Sequence, residues 1–270
     1  MKKLISLFFI IFLSALVFTT CKKDKGDPPV APLPESMLID FSNFISLKKS
    51  AGLSSGTKGT ANSNYDYAST VSGMWNLITQ TTLPVPIACY KATYEKAPVW
   101  ISDNTWEFDN SVIFGAITYK ARLVGQISGK KVIWTLYVAR EGTSSFPEFI
   151  WAEGESGTDG TSGQWIFYQS YSTQESLLQV DWTKTGTDIE TVKYTYVKND
   201  GLKTSFIDYG HISGNFNSNY TIYYFNGVKF SNVLIEWNST TKNGRVQSLE
   251  YLGDSNWYCW DSNKINVTCP

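Results

Sequence analysis

Residues 131–140 read KVIWTLYVAR, and this stretch decides the fold class. Its apolar side chains occupy every second position: Val132, Trp134, Leu136 and Val138. The opposite face carries Lys131, Thr135 and Tyr137. Because side chains alternate between the two faces of a strand, this period of two predicts a β-strand with one buried face. A second, more polar face is typical of antiparallel sheets.

The same alternation recurs along the chain, notably in residues 112–124 and 189–198. Short turn sequences separate the runs: Ser128-Gly129, Asp200-Gly201, Asn226-Gly227 and Asn243-Gly244. A sheet of roughly eleven strands has to curl or split. The sequence therefore predicts a mainly β fold, an antiparallel up-and-down meander that forms a closed or nearly closed barrel. A two-sheet sandwich is the alternative.

The Asn226-Gly227 pair predicts a two-residue type I′ hairpin, because both residues tolerate a positive φ. Such a turn pairs Phe225 with Val228. The apolar alternation of residues 233–237 then falls on the opposite face from these two. Either a bulge near Asn232 switches the faces or both faces are partly covered, and the sequence leaves both readings open.

One segment has helical periodicity instead. In residues 66–80 the apolar side chains recur along one stripe: Tyr67, Ala68, Val71, Met74, Trp75 and Ile78. Asn64 or Asp66 is a suitable cap for the start, and Pro84 is expected to stop the helix. The sequence therefore predicts one N-terminal amphipathic helix at about residues 66–80, within a single β-rich domain that spans residues 37–270.

The chain begins with features of an export signal. Lys2-Lys3 precedes an apolar run, Leu4–Phe18, that is shorter than the about 20 residues of a membrane-spanning helix. We therefore expect residues 1–20 to be a signal peptide. The run ends in Phe18-Thr19-Thr20-Cys21, which resembles the lipobox of bacterial envelope lipoproteins. The resemblance implies that Cys21 is acylated, by palmitate among other chains; an ordinary signal peptide with an incidental cysteine is the alternative.

Residues 21–36 fit a lipid anchor followed by a proline-rich tether. The segment is charged up to Asp27, and four prolines then keep it extended: Pro28, Pro29, Pro32 and Pro34. In the lipoproteins that it resembles, Asp directly after the cysteine favours the inner membrane, whereas Lys22 stands here. The resemblance thus implies attachment through the lipid to the outer membrane, on its periplasmic or its cell-surface side.

The charge balance argues against a nucleic-acid partner. Removal of residues 1–20 takes away two lysines and no acidic residue, which leaves 21 basic against 24 acidic side chains. The basic residues form no large cluster, whereas nucleic-acid binding requires Lys and Arg gathered on one face. We therefore expect no nucleic-acid partner.

Three cysteines remain once Cys21 is acylated. Cys259 and Cys269 are close in sequence, and an oxidising envelope permits a disulfide between them. Pairings that use Cys89 are the alternative, with a buried Cys89 thiol as the preferred reading. A zinc site is not expected, because no Cys-x-x-Cys or His pair accompanies these residues.

Alternate links of a meander meet at one end of the sheet. Here that end receives the longer Gly- and Asn-rich links: 128–130, 153–163, 183–188, 210–218 and 238–244. A tryptophan precedes three of these links: Trp151, Trp182 and Trp237. We therefore expect these tryptophans at the rim of the sheet. There they are either a platform for a glycan or plugs that close the core.

Acidic residues near the same links suggest further chemistry. Glu153, Glu155 and Asp159 could supply oxygen ligands to Ca²⁺, with a plain turn as the alternative. No other cofactor is expected.

No catalytic residue is assigned, because a Ser-His-Asp triad would have to use the single histidine, His211. The sequence therefore predicts a tethered lipoprotein whose domain is a non-catalytic binding or structural accessory module, with a glycan or an envelope protein as its partner. A carbohydrate-active hydrolase that uses loop carboxylates is the alternative.

The lipid anchor is testable on its own. We expect Cys21→Ser to abolish acylation and to release the protein from the membrane fraction in soluble form. Metabolic labelling with a fatty-acid analogue, followed by fractionation, measures both effects. A variant that still incorporates the label and stays with the membrane would contradict the assignment of Cys21.

Overall fold

The computed structural model describes residues 26–30, 38–39, 41–44 and 63–270. The predicted signal peptide and Cys21 lie outside the described residues, as does most of the predicted tether. Within the described part, fourteen strands, three α-helices and a short 3₁₀ helix at Ser42–Phe44 form the domain. The bounds of the strands are β1 Val99–Ser102, β2 Thr105–Phe114, β3 Ile117–Ser128, β4 Lys131–Arg140, β5 Phe146–Gly157, β6 Ser162–Tyr168, β7 Ser176–Thr185, β8 Asp188–Tyr196, β9 Phe206–His211, β10 Ser218–Phe225, β11 Phe230–Trp237, β12 Gly244–Gln247, β13 Tyr258–Trp260 and β14 Asn266–Val267.

The strands form one antiparallel sheet in which each strand pairs with its neighbours in sequence, from β1 to β14. The predicted mainly β, antiparallel meander is confirmed. The sheet is continuous rather than divided into two, and the edge strands β1 and β14 do not pair with each other within the described residues. Short strands such as β13 and β14 explain why more strands are present than the alternation predicts, since two or three residues show no clear period.

Two consecutive helices precede the sheet: α1 at Asn64–Thr82 and α2 at Pro84–Tyr94; a third, α3 at Leu249–Leu252, follows β12. Helix α1 covers the predicted helix and is capped by Ser63, whose hydroxyl accepts a hydrogen bond from the Asp66 N–H at 3.1 Å. The sequence pattern does not predict helix α2, because it assigns Pro84 only the role of ending α1. Proline is favoured at the first helical position, where no N–H is needed, so the same residue also begins the next helix.

The β10–β11 hairpin differs from its prediction. Phe225 pairs with Phe230 rather than with Val228, so the loop has four residues, 226–229. The Asn226 side chain accounts for this, because its Oδ1 accepts hydrogen bonds from the N–H groups of Val228 and Lys229, both at 3.0 Å. The register runs without a bulge through Asn232, and a shift of two residues leaves each side chain on its predicted face. Residues 233–237 keep their apolar side chains in the core, whereas Phe225 and Phe230 lie on the outer face, so both faces are partly covered.

The inner face of the sheet is built from tryptophans that alternate with glycines across neighbouring strands. Five residues on β2–β6 stand side by side in register: Trp106, Gly125, Trp134, Gly154 and Trp165. A Cβ at Gly125 would lie 2.5 Å from Trp134 Cζ3, and one at Gly154 would lie 2.7 Å from Trp165 Cδ2. Each indole therefore occupies the space above a glycine on the adjacent strand.

The same arrangement appears twice more along the sheet. Gly163 pairs with Trp182, and Gly244 lies between Trp237 and Trp260. A Cβ at Gly163 would lie 2.7 Å from Trp182 Cζ2. Glycine is thus required at these positions by the volume of the neighbouring indole.

Helices α1 and α2 fill the inner side of the sheet. Helix α2 packs against β2–β4, and helix α1 packs against β12 and β13. Since the two helices also contact each other, the sheet must curl around them. Aromatic contacts complete the core: Tyr90 meets Trp165 with ring centroids 5.5 Å apart, and Tyr65 meets Trp260 at 5.8 Å.

The Trp–Gly packing predicts opposite effects for the same substitution at two sites. Gly154→Ala should destabilise the fold by about 1–3 kcal/mol, the usual cost of overpacking a core. Gly73→Ala is the matched control, because a Cβ at this helical position meets nothing within 4 Å, and it should stabilise by about 0.5–1 kcal/mol. Urea unfolding monitored by circular dichroism gives both values. Equal effects would contradict the packing argument.

Candidate ligand-binding groove

The links that end β3, β5, β7, β9, β11 and β13 lie together at one end of the sheet, and we call this end the rim. Two of these links are long, residues 212–217 and 238–243. They hold each other by hydrogen bonds. Asn238 Nδ2 donates to the Asn215 carbonyl at 3.0 Å, and the Ser239 N–H donates to Asn217 Oδ1 at 2.8 Å. The two loops therefore form one braced surface.

A groove of about 410 Å³ lies between these loops and the last hairpin, β13–β14, and we call it the rim groove. Its size falls within the range of small-molecule sites. The lining residues are Asn215, Phe216, Thr241, Asn243, Gly244, Cys259, Trp260, Asp261, Ser262, Val267 and Pro270.

Several polar groups of the rim groove are available to a ligand. The side-chain amide of Asn215 and the hydroxyl of Ser262 have no hydrogen-bond partner among the described residues. Asp261 uses Oδ1 to accept from the N–H groups of Asn263 and Ile265, at 2.9 and 3.0 Å, which leaves Oδ2 open. An amide, a hydroxyl and a carboxylate together offer both donors and acceptors.

Trp260 forms the floor of the rim groove. Its indole N–H donates to the Lys242 carbonyl at 3.0 Å, and the side chain is 1% exposed. The 238–243 loop is thus tied to the core as well as to its neighbouring loop.

The three tryptophans singled out in the sequence do not gather at the rim. Trp182 and Trp237 are 1% and 2% exposed and belong to the inner core, so neither is accessible to a ligand. Trp151 is far from the rim, because β5 continues beyond it to Gly157. It is the extra residue of a bulge and packs on Phe149, with ring centroids 5.2 Å apart.

Each of the three acidic residues considered for Ca²⁺ already has a partner among the described residues. Glu155 pairs with Lys131 at 2.6 Å, and Asp159 accepts from the Thr161 N–H and hydroxyl at 3.1 and 3.0 Å. Glu153 accepts from the Tyr168 hydroxyl at 2.5 Å, a bond that contributes most to raising the pKa of Tyr168 to about 12. Within the described ranges, no group of three or more His, Cys, Asp or Glu side chains is placed to hold a metal ion.

Cys259 and Cys269 form a disulfide, with their Cα atoms 5.2 Å apart. The bond joins β13 to the chain beyond β14, at one wall of the rim groove. Cys89 lies in α2 as a buried free thiol, and burial raises its pKa to about 12. A thiol with this pKa remains protonated and unreactive near neutral pH.

An aromatic column on the outer face of the sheet was not anticipated from the sequence. Phe206, Tyr223 and Phe230 stand side by side across β9–β11, with centroids 5.7 and 4.8 Å apart. Lys193 Nζ covers the remaining face of Phe206 at 4.1 Å from its centroid. Because these ring faces cover one another, the column stabilises the sheet as cross-strand pairs do and offers little flat surface for a sugar.

Comparisons with models of protein families, with curated proteins and with solved structures find no match to this chain. Among the described residues, no helix combines the length and apolar character that crossing a membrane requires. The function therefore has to be inferred from the rim groove itself.

Burial of the tryptophans predicts how each responds to truncation. Trp182→Ala should destabilise the protein by about 3–5 kcal/mol, the usual cost of removing a buried indole. Trp151→Ala should cost less, because Trp151 lies in a bulge and is only half-buried. Chemical unfolding of both variants makes the comparison. A small loss for Trp182→Ala would contradict its place in the core.

Proposed function

We propose that this chain is a lipid-anchored envelope protein whose β domain is a non-catalytic binding module, and that the rim groove holds a hydroxyl-rich ligand, a glycan. The proposal rests on one observation: the groove of about 410 Å³ contains the side chains of Asn215 and Ser262, which have no hydrogen-bond partner among the described residues.

The chemistry of the lining supports this ligand class. Sugar hydroxyls both donate and accept hydrogen bonds, so they suit amide, hydroxyl and carboxylate groups placed a short distance apart. Val267 and Pro270, both exposed, add apolar surface against which the C–H face of a sugar can pack. Small-molecule sites typically combine such apolar lining with a few polar groups that fix orientation.

The groove gives less support to hydrolysis. Glycosidases generally need two carboxyl groups on either side of the scissile bond. Asp261 is the single acidic side chain among the described residues that line the groove. The carboxylates considered from the sequence do not line the groove; Glu155, for example, pairs with Lys131 at 2.6 Å. Binding without turnover is the function that this arrangement favours.

The position of the tether supports an envelope role for the rim. Val30 Cγ1 lies 3.9 Å from the place that a Cβ at Gly160 would take, in the β5–β6 turn at the rim. Residues 21–30 span at most about 30 Å when extended. With a lipid on Cys21, the β5–β6 turn of the rim would thus lie within about 30 Å of the membrane, below a curled sheet that forms a nearly closed barrel.

A glycan array tests the proposal, with the Cys21→Ser protein as the soluble probe. We expect it to bind a defined subset of oligosaccharides. Asn215→Ala and Ser262→Ala should each weaken that binding by about tenfold, the equivalent of one lost hydrogen bond. Neither side chain supports the fold through a hydrogen bond, so the unfolding midpoint should not change.

Ser213→Ala is the matched control, because Ser213 is exposed in the same loop but does not line the groove. It should bind as the parent protein does. Absence of glycan binding, or equal losses for the control and the groove variants, would refute the assignment. Release of sugar from a bound oligosaccharide would favour the hydrolase instead.

A further inference from the structure

The rim groove has two walls that are held in different ways. Loops 212–217 and 238–243 form the first wall and are braced by the hydrogen bonds of Asn238 and Asn217. Both loops connect strands with a partner on each side, so this wall is part of the body of the sheet.

The second wall belongs to the last hairpin and includes Val267 and Pro270. Strand β14 has two residues, both exposed, and pairs only with β13. Asn266 Oδ1 accepts a hydrogen bond from the Asn64 N–H at 2.8 Å, which fastens β14 to the start of α1. Beyond β14, the disulfide ties Cys269, and with it Pro270, to the buried Cys259.

We propose that the Cys259–Cys269 disulfide is a clasp for the rim groove: in the oxidised protein it holds the wall at Val267 and Pro270, and its reduction releases that wall and weakens ligand binding. This inference rests on the proposed function for the ligand, but the clasp itself is a property of the wall. Asn64 would keep β14 in place after reduction, so the change is local to the chain around residues 267–270.

The two cysteines of the disulfide differ in solvent exposure, and this difference determines which sulfur a reductant attacks first. Cys259 is 3% exposed, whereas Cys269 is half-buried. A thiolate of a dithiol reductant therefore attacks Cys269 Sγ, and Cys259 leaves as a thiolate that takes up a proton. The second thiol of the reductant then displaces Cys269 from the mixed disulfide. The reductant gives two electrons and becomes a cyclic disulfide, while both cysteines become thiols.

Hydrogen–deuterium exchange tests the clasp without any ligand. The Cys21→Ser protein is compared oxidised, reduced with dithiothreitol, and reoxidised. We expect amide exchange in residues 267–269 to rise by about tenfold on reduction and to return on reoxidation, as for a local opening. Loops 212–217 and 238–243 should not change. Unaltered exchange in 267–269, or a rise throughout the sheet, would overturn the proposal.

Affinity for a glycan bound on the array supplies the second measurement. Reduction should weaken it by about tenfold, and Cys259→Ser/Cys269→Ser should match the reduced protein and no longer respond to reductant. Cys89→Ala is the control, because it retains the clasp and should respond as the parent does. Equal affinity in the oxidised and reduced states would overturn the regulatory role. If the oxidised protein binds no glycan, the proposed function fails, while the exchange experiment still decides the clasp.

Discussion

The close approach of tryptophan to glycine on neighbouring strands is the constraint on which the rest of this domain depends. At Gly125, Gly154, Gly163 and Gly244 the inner face has no side chain, and an indole from the next strand fills the space. Large and small residues thus interdigitate within a single layer. Such packing lets one sheet bury many tryptophans on one face and still leave room for α1 and α2.

In the core, the indole rings are placed for close packing even where their N–H groups then lack a hydrogen bond. The indole N–H groups of Trp106, Trp165, Trp182 and Trp237 are buried without a partner among the described residues. An unsatisfied buried donor costs about 1–3 kcal/mol. Trp134, by contrast, donates to the Ser156 hydroxyl at 2.9 Å. The shape of the indole, more than its polar group, is therefore what most of these positions use.

The local alternation of apolar residues is sufficient to predict the class of fold, but it does not predict the places where the backbone departs from a regular strand or turn. The period of two identifies the strands and their inner faces, and short links make a meander. The errors arose where a side chain changes the backbone locally. Asn226 lengthens a hairpin that looked like a two-residue turn, Pro84 starts a helix as well as ending one, and the bulge at Trp151 adds a residue to β5. The Gly–Trp pairs were visible in the sequence, yet only the register shows that they are partners.

The candidate site illustrates the same limit. Alternation of links correctly brings the long loops to one end, but it does not show which side chains remain free there. The sequence pattern favours tryptophan as the binding residue because it places three tryptophans at strand ends near that rim, whereas Trp182 and Trp237 are buried in the core and Trp151 lies far from the rim. Since the inner face is fully used by packing and the ring faces of the outer column cover one another, the proposed recognition would rest on small polar side chains of the loops. Asn215 and Ser262 contribute little to the fold, and for that reason they are available to a ligand.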